Sequence, residues 1–185
     1  MKELSLNILD ISENATKARA ELVKIEILET EDNLTIVISD NGTGMTSETL
    51  SSVTDPFFTT RTTRKVGMGI PLFRMAAEMT GGNLTITSKH IDEYPEDHGT
   101  VLSATFNKKH IDYTPLGDII STVTTLIQGH PDVDFLFIHR FLNGTVSLDT
   151  RELRAVLEDV PLSTFEVLQW IKDNLKEQYT EEKNK

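Results

Sequence analysis

NLTIVISDNGTGM, residues 33–45, decides how this chain is read. Leu34, Ile36 and Ile38 alternate with polar residues, which is the two-residue period of a strand with one buried face. Asp40 continues that same face, so a carboxylate is carried toward the apolar side of a sheet. Burying an unpaired charge is costly. An acid at such a place is either a turn residue beside glycine or a carboxylate kept for a ligand's donor. In the second case Gly42 and Gly44 would let the ligand approach the backbone.

The rest of the chain supplies a frame for that strand. Leu4, Ile8, Ile11, Ala15 and Ala18 recur at helical spacing and predict a helix over residues 3 to about 20. LVKIEILE (22–29) alternates as a strand and pairs with the opening stretch through the turn TEDN. SETLSSV (47–53) reads as a short helix. IPLFRMAAEMT (70–80) reads as a longer one, with Pro71 in its first turn and Gly81–Gly82 at its end. NLTITS (83–88) and TVLSATF (100–106) are two further strands around a polar loop. Beyond a boundary near residue 110 come a helix in LGDIISTVTTLIQG, strands in DVDFLFIHRF and TVSLDT around the turn LNG, and helices in TRELRAVLEDV and STFEVLQWIKDNLKEQY. The last residues, TEEKNK, are expected to fray. Trp170, with Phe165, Leu168 and Ile171, is expected to pack in the core, a docking surface for a partner being the other reading.

Composition sets the outer limits. The 185 residues are 38% hydrophobic and 25% charged, with no cysteine and a formal net charge of -11. The sequence pI is about 4.9. This is the balance of a folded globular chain. Disulfides, cysteine catalysis and thiolate metal sites are excluded. The acidity disfavours nucleic acid and anionic membranes as partners. No apolar stretch reaches transmembrane length and the N-terminus carries no signal-peptide core, which together fit a cytoplasmic protein.

Two further clusters join Asp40. Asp10, Asn14 and Lys17 are spaced four and three apart and fall on one helical stripe. An acid, an amide and an ammonium together suit a hydrated metal and phosphates. DPFFTTRTTRKVGMGIPLF (55–73) puts hydroxyls, three basic side chains and glycines ahead of a helix N-terminus, where backbone amides and the helix dipole bind anions. Walker-type, HExxH and GxSxG motifs do not occur. The five histidines are too scattered for a metal cluster, and none of them lies on a helical hairpin that would serve as a phosphoacceptor.

In this order the boxes resemble the gyrase, chaperone, histidine-kinase and mismatch-repair ATPase superfamily with its Bergerat-type nucleotide fold, over roughly residues 1 to 108. DISENA (10–15) is similar to the family's N box, DNGTGM (40–45) to G1, DPFFTTR (55–61) to the F box, VGMGIPLF (66–73) to G2, and HGTVLSATF (98–106) to the later Gly-Thr. The resemblance implies an α/β sandwich, an α+β arrangement with a mixed, largely antiparallel sheet layered with helices. It comprises an ATP-binding domain at 1–110 and a small α+β extension at 111–185. It implies ATP and Mg2+ as cofactors. Asp40 would accept from the adenine amino group, with Gly42, Gly44 and Met45 along the base. Asn14 would ligate the metal. Lys17, Phe58, Thr59, Thr60, Arg61, Gly67, Met68, Gly69 and Thr100 would complete the nucleotide site. Asp10 takes the place of the general base, where the superfamily's ATPases usually carry Glu. The lid from Phe57 to Gly67 is short, as in histidine kinases and anti-sigma-factor kinases. The chain is then either a Mg-ATP module that hydrolyses ATP or phosphorylates a partner protein in trans, or a non-catalytic sensor of ATP against ADP that switches a partner.

Overall fold

The computed structural model describes residues 3–54 and 69–183. Its elements in chain order are α1 (Leu4–Lys17), β1 (Leu22–Glu29), β2 (Asn33–Asp40), α2 (Ser47–Thr54), α3 (Gly69–Met79), β3 (Asn83–Lys89), β4 (Gly99–Asn107), α4 (Ile119–Gly129), β5 (Asp134–Phe141), β6 (Gly144–Asp149), α5 (Thr150–Leu157) and α6 (Phe165–Lys183).

The six strands form one sheet in the order β3-β4-β2-β1-β5-β6. Every neighbouring pair is antiparallel except β1 with β5, which is parallel. The sheet is thus mixed and largely antiparallel, as the sequence implied. Alternate residues are buried along the central strands, including Val23, Ile25 and Ile27 of β1 and Leu34, Ile36 and Ile38 of β2, whereas edge strand β3 buries only Leu84. These residues meet Leu4, Ile8 and Ile11 of α1, Phe73 and Ala77 of α3, Val123 and Ile127 of α4, and Ile171 and Leu175 of α6 in one core. The alternate strand residues, such as Lys24, Leu28, Val101 and Arg140, are exposed. A sheet with one solvated face needs this alternation.

The segment after residue 110 is built onto the β1 side of the sheet: β5 pairs with β1 from Leu22↔Asp134 to Leu28↔Arg140. It also serves α1. The first amides of a helix have no partner within it, and the side chain of Glu3 at the N-cap makes no capping bond to them. Instead the Leu4 and Ser5 amides donate to the Pro115 and Leu116 carbonyls at 3.0 and 2.8 Å.

Three sequence expectations change. Helix α1 ends at Lys17, because Arg19 turns into the left-handed region at φ 61°. Helix α6 continues to Lys183 instead of fraying at residue 180: Gln178 and Tyr179 are anchored to Ser147 and His139. Along α6, Leu168, Ile171 and Leu175 form the inward stripe, which leaves Trp170 51% and Phe165 75% exposed. The core role expected of those two aromatics does not hold.

Candidate nucleotide cleft

A cavity of about 240 Å³ opens between α1, α2, the start of α3 and the ends of β2, β3 and β4. Its walls are apolar where Ile11, Ile38, Ile70, Ile86 and Leu102 converge, and polar where Asn14, Asp40, Thr49 and Thr100 face it. Gly44 and Met45 close one side. An apolar cavity with a few polar groups at its edges suits an aromatic base.

Asp40 is the polar group the strand was expected to deliver. One carboxylate oxygen, Oδ1, accepts from the Gly42 amide at 2.8 Å. Burial pushes its pKa above the ordinary carboxylate range, opposed by the backbone bonds from Gly42 and Thr100 and by the nearby His98. The site therefore holds a desolvated acceptor against a bias to protonate, a condition that a ligand's N–H donor relieves.

The loop after Asp40 is fixed on several sides. The Thr43 amide donates to the Ala18 carbonyl at the end of α1, at 2.8 Å, and the Thr43 carbonyl accepts from Ile91 at 2.9 Å. The Met45 amide donates to Ser88 Oγ at 2.7 Å, and that hydroxyl lies 2.8 Å from Thr100 Oγ1. His98 Nδ1 lies 2.6 Å from the Gly42 carbonyl oxygen. Two glycines are required by this closeness. A Cβ at Gly42 would stand 2.7 Å from the Ala18 carbonyl. Gly44 has φ +67°, and a Cβ there would run into the Lys89 carbonyl.

The remaining sequence candidates divide three ways. Asn14 lines the cavity from α1 and is exposed to solvent, so its amide oxygen is available to a hard cation, which takes oxygen ligands. Asp10 and Lys17 are also exposed on that stripe but do not line the cavity. Asp10 stands instead against the first residue of α3: a Cβ on Gly69 would lie 3.3 Å from Asp10 Cβ and 3.9 Å from its Oδ2. Phe58, Thr59, Thr60, Arg61, Gly67, Met68 and the lid lie outside the described residues. Sequence reading did not single out the apolar walls, nor Ser88 and His98. The walls were legible only as core positions, and the two polar residues act through contacts made 43 and 56 positions away.

Residues 1–110 match the family of histidine kinase-, DNA gyrase B- and HSP90-like ATPases. The chain belongs to this family of ATP-binding domains. Among solved structures it is similar to the Aquifex aeolicus MutL ATPase domain complexed with ADP, with TM-score 0.55 and 12% identity over 96% of this chain and 70% of that one. It is also similar to the N-terminal domain of a DNA repair protein, with TM-score 0.50 and 14% identity over 80% of this chain and 52% of that one. At these identities the likeness is one of fold, and the C-terminal extension falls within the first match. Among curated proteins none matches the sequence. No helix among the described residues is long and apolar enough to cross a membrane.

Proposed function

We propose that this chain is a Mg-ATP module that hydrolyses ATP or transfers its terminal phosphoryl group to a partner protein. The observation that carries the reading is the half-buried Asp40 carboxylate facing an apolar slot that α1 walls with Ile11, Asn14, Ala15 and Ala18. Asp40 accepts from the adenine amino group, and Gly44 and Met45 flank the base. Asn14 would hold Mg2+, which would neutralise phosphate charge. Lys17 lies further along the stripe, toward the phosphates. Asp10, beside the start of α3, orients the attacking water or hydroxyl and takes its proton. Phosphoryl transfer asks chiefly for positioning and charge stabilisation, so few groups suffice.

The test uses γ-labelled ATP with magnesium, wild type beside Asp10→Ala, in buffer and in native extract. Phosphate release or a labelled protein, lost in the variant, supports the enzyme. Equal activity in both proteins removes Asp10 from the reaction.

A second reading, an ATP/ADP-sensing module without catalysis, is favoured by one feature. Asp10, one methylene shorter than the family's usual Glu, does not reach the cavity wall. The exposed Phe165 and Trp170 on α6 then offer apolar contact to the partner such a switch would hold. Tight Mg-ATP binding with neither product in the labelled-ATP experiment selects this reading.

A further inference from the structure

A second and larger cavity, of about 420 Å³, lies at the opposite end of the sheet. The register places it: Asp40, at the nucleotide cleft, pairs with Val23, whereas Glu29, at this cavity, pairs with Leu34. The two sites are thus separated by most of the length of β1, roughly 20 Å at about 3.3 Å per residue. The volume is within the usual range for small-molecule sites, roughly 300–1,000 Å³.

Aromatic rings form its floor. His139 of β5 stacks on Phe141 with centroids 4.0 Å apart, and Tyr179 of α6 meets both edge-on at 5.8 and 5.9 Å. Hydrogen bonds hold the rings in place. His139 Nε2 donates to the Glu29 carboxylate at 3.2 Å, and its Nδ1 lies 2.8 Å from the Tyr179 hydroxyl. Leu116 and Ile120 add hydrocarbon to the wall.

Among the described residues the formal charges on the lining are of one sign. Glu29, Asp118 and Glu182 face the cavity, and among the described residues no lysine or arginine lines it. From outside the lining Lys108 offsets Glu29 at 2.6 Å, and Lys172 and Lys176 act on Asp118, which also accepts from Ser121 as the cap of α4. A compact metal ion does not fit this arrangement, since among the described residues no three acidic or imidazole groups are grouped to hold one. Acids spread along the walls above ring faces suit a cation carried on an organic body. An ammonium is drawn both to carboxylates and to the faces of aromatic rings.

We propose that the cavity bounded by Glu29, Asp118, His139, Phe141, Tyr179 and Glu182 is a binding site for a small organic cation. The ligand is an alkyl- or arylammonium whose charge sits among the carboxylates and whose hydrocarbon lies on the Phe141–His139 stack. The site is independent of the nucleotide cleft.

The full chain is titrated with hexylammonium and benzyltrimethylammonium, and with hexanol and hexanoate as uncharged and anionic counterparts. Calorimetry is read beside amide NMR shifts. The expected result is saturable binding of the ammonium probes, with shifts at Gly117, Asn143 and Gly144, and binding at least tenfold weaker for hexanol and hexanoate. Glu182→Gln and Phe141→Leu should each weaken ammonium binding at least fivefold. If one of these variants fails to fold, the other decides. The proposal is overturned if no ammonium probe saturates, if hexanol binds as tightly as hexylammonium, or if the shifts map to Asp40 and its neighbours instead.

Discussion

His98 Nδ1 lies 2.6 Å from the Gly42 carbonyl oxygen, while the Gly42 amide donates to Asp40. One residue, Gly42, therefore links a histidine on the far side of the loop to the carboxylate that faces the cleft, through the peptide groups on either side of its Cα. A carbonyl only accepts, so Nδ1 carries the proton in this bond. Replacing His98 with alanine removes one positioning bond from the loop, worth about 1 kcal/mol. ATP affinity should fall by up to about fivefold in calorimetry, with Tm lowered by no more than about 2–4 °C. An unaltered affinity would show that the loop holds its place without the histidine.

Asn14 faces the cleft with an oxygen suited to magnesium. In Asn14→Ala the gain in ATP affinity on adding magnesium should disappear, leaving the metal-free affinity within about threefold of wild type, within the spread of a single weak contact. Titrations with and without EDTA make the comparison. An equal magnesium effect in both proteins would remove Asn14 as the ligand.

Glu29 ties β1 to the C-terminal extension. The His139 bond, followed by Lys108, lowers its pKa from 4.5 to about 2, against the opposing effect of burial. A carboxyl whose folded pKa is depressed adds stability that is present above its unfolded value and is lost as pH falls. The loss should therefore run from about pH 4.5 down to about pH 2. Glu29→Gln should cost about 1–2 kcal/mol at pH 7 once partial solvent screening is allowed for. Its denaturant midpoint should converge on that of wild type toward pH 2. Parallel curves at all pH values would contradict the assignment.

Gln178 covers the edge of the sheet. Its side chain accepts from the Ser147 amide at 2.9 Å and donates to the Ser147 carbonyl at 3.0 Å, on the open side of β6. Unpaired edge groups invite strand pairing between molecules. Gln178→Ala should raise self-association in sedimentation velocity at high protein concentration. A variant that stays as monodisperse as wild type would mean that the edge is protected by other means.

The sheet and most helix positions were readable because they follow from periodicity. The spans LVKIEILE and NLTIVISD coincide with β1 and β2, since alternation on a half-buried sheet has little freedom. Asp40 was readable for the same reason: a carboxylate in phase with Leu34, Ile36 and Ile38 must point toward their side. What periodicity does not carry is partnership between distant segments. Nothing in DFLFIHRF says that its His139 will meet Glu29 and Tyr179, or that β5 will extend the sheet at β1. Trp170 and Phe165 misled because an aromatic beside a buried stripe is hydrophobic whether or not it faces inward. Helix α6 outlasted the expected fraying because its anchors, Ser147 and His139, lie on other elements.

Asp40 is held at a cost that function would explain. Because burial raises its folded pKa, its contribution to stability is full below the unfolded value near 3.8 and is lost as pH rises through the folded value. Asp40→Asn should therefore raise Tm at pH 7, with the difference vanishing at pH 3, even as it impairs ATP binding. A lower Tm at pH 7 would mean that the carboxylate is structural.

The most direct test of the nucleotide site is calorimetric titration of Mg-ATP into wild type and Asp40→Ala. Loss of a hydrogen bond to a charged acceptor should weaken binding by roughly 1.5–3 kcal/mol, or about 10- to 150-fold. Equal affinity in the two proteins would contradict the assignment of Asp40 to the adenine and, with it, the placement of the nucleotide in this cleft.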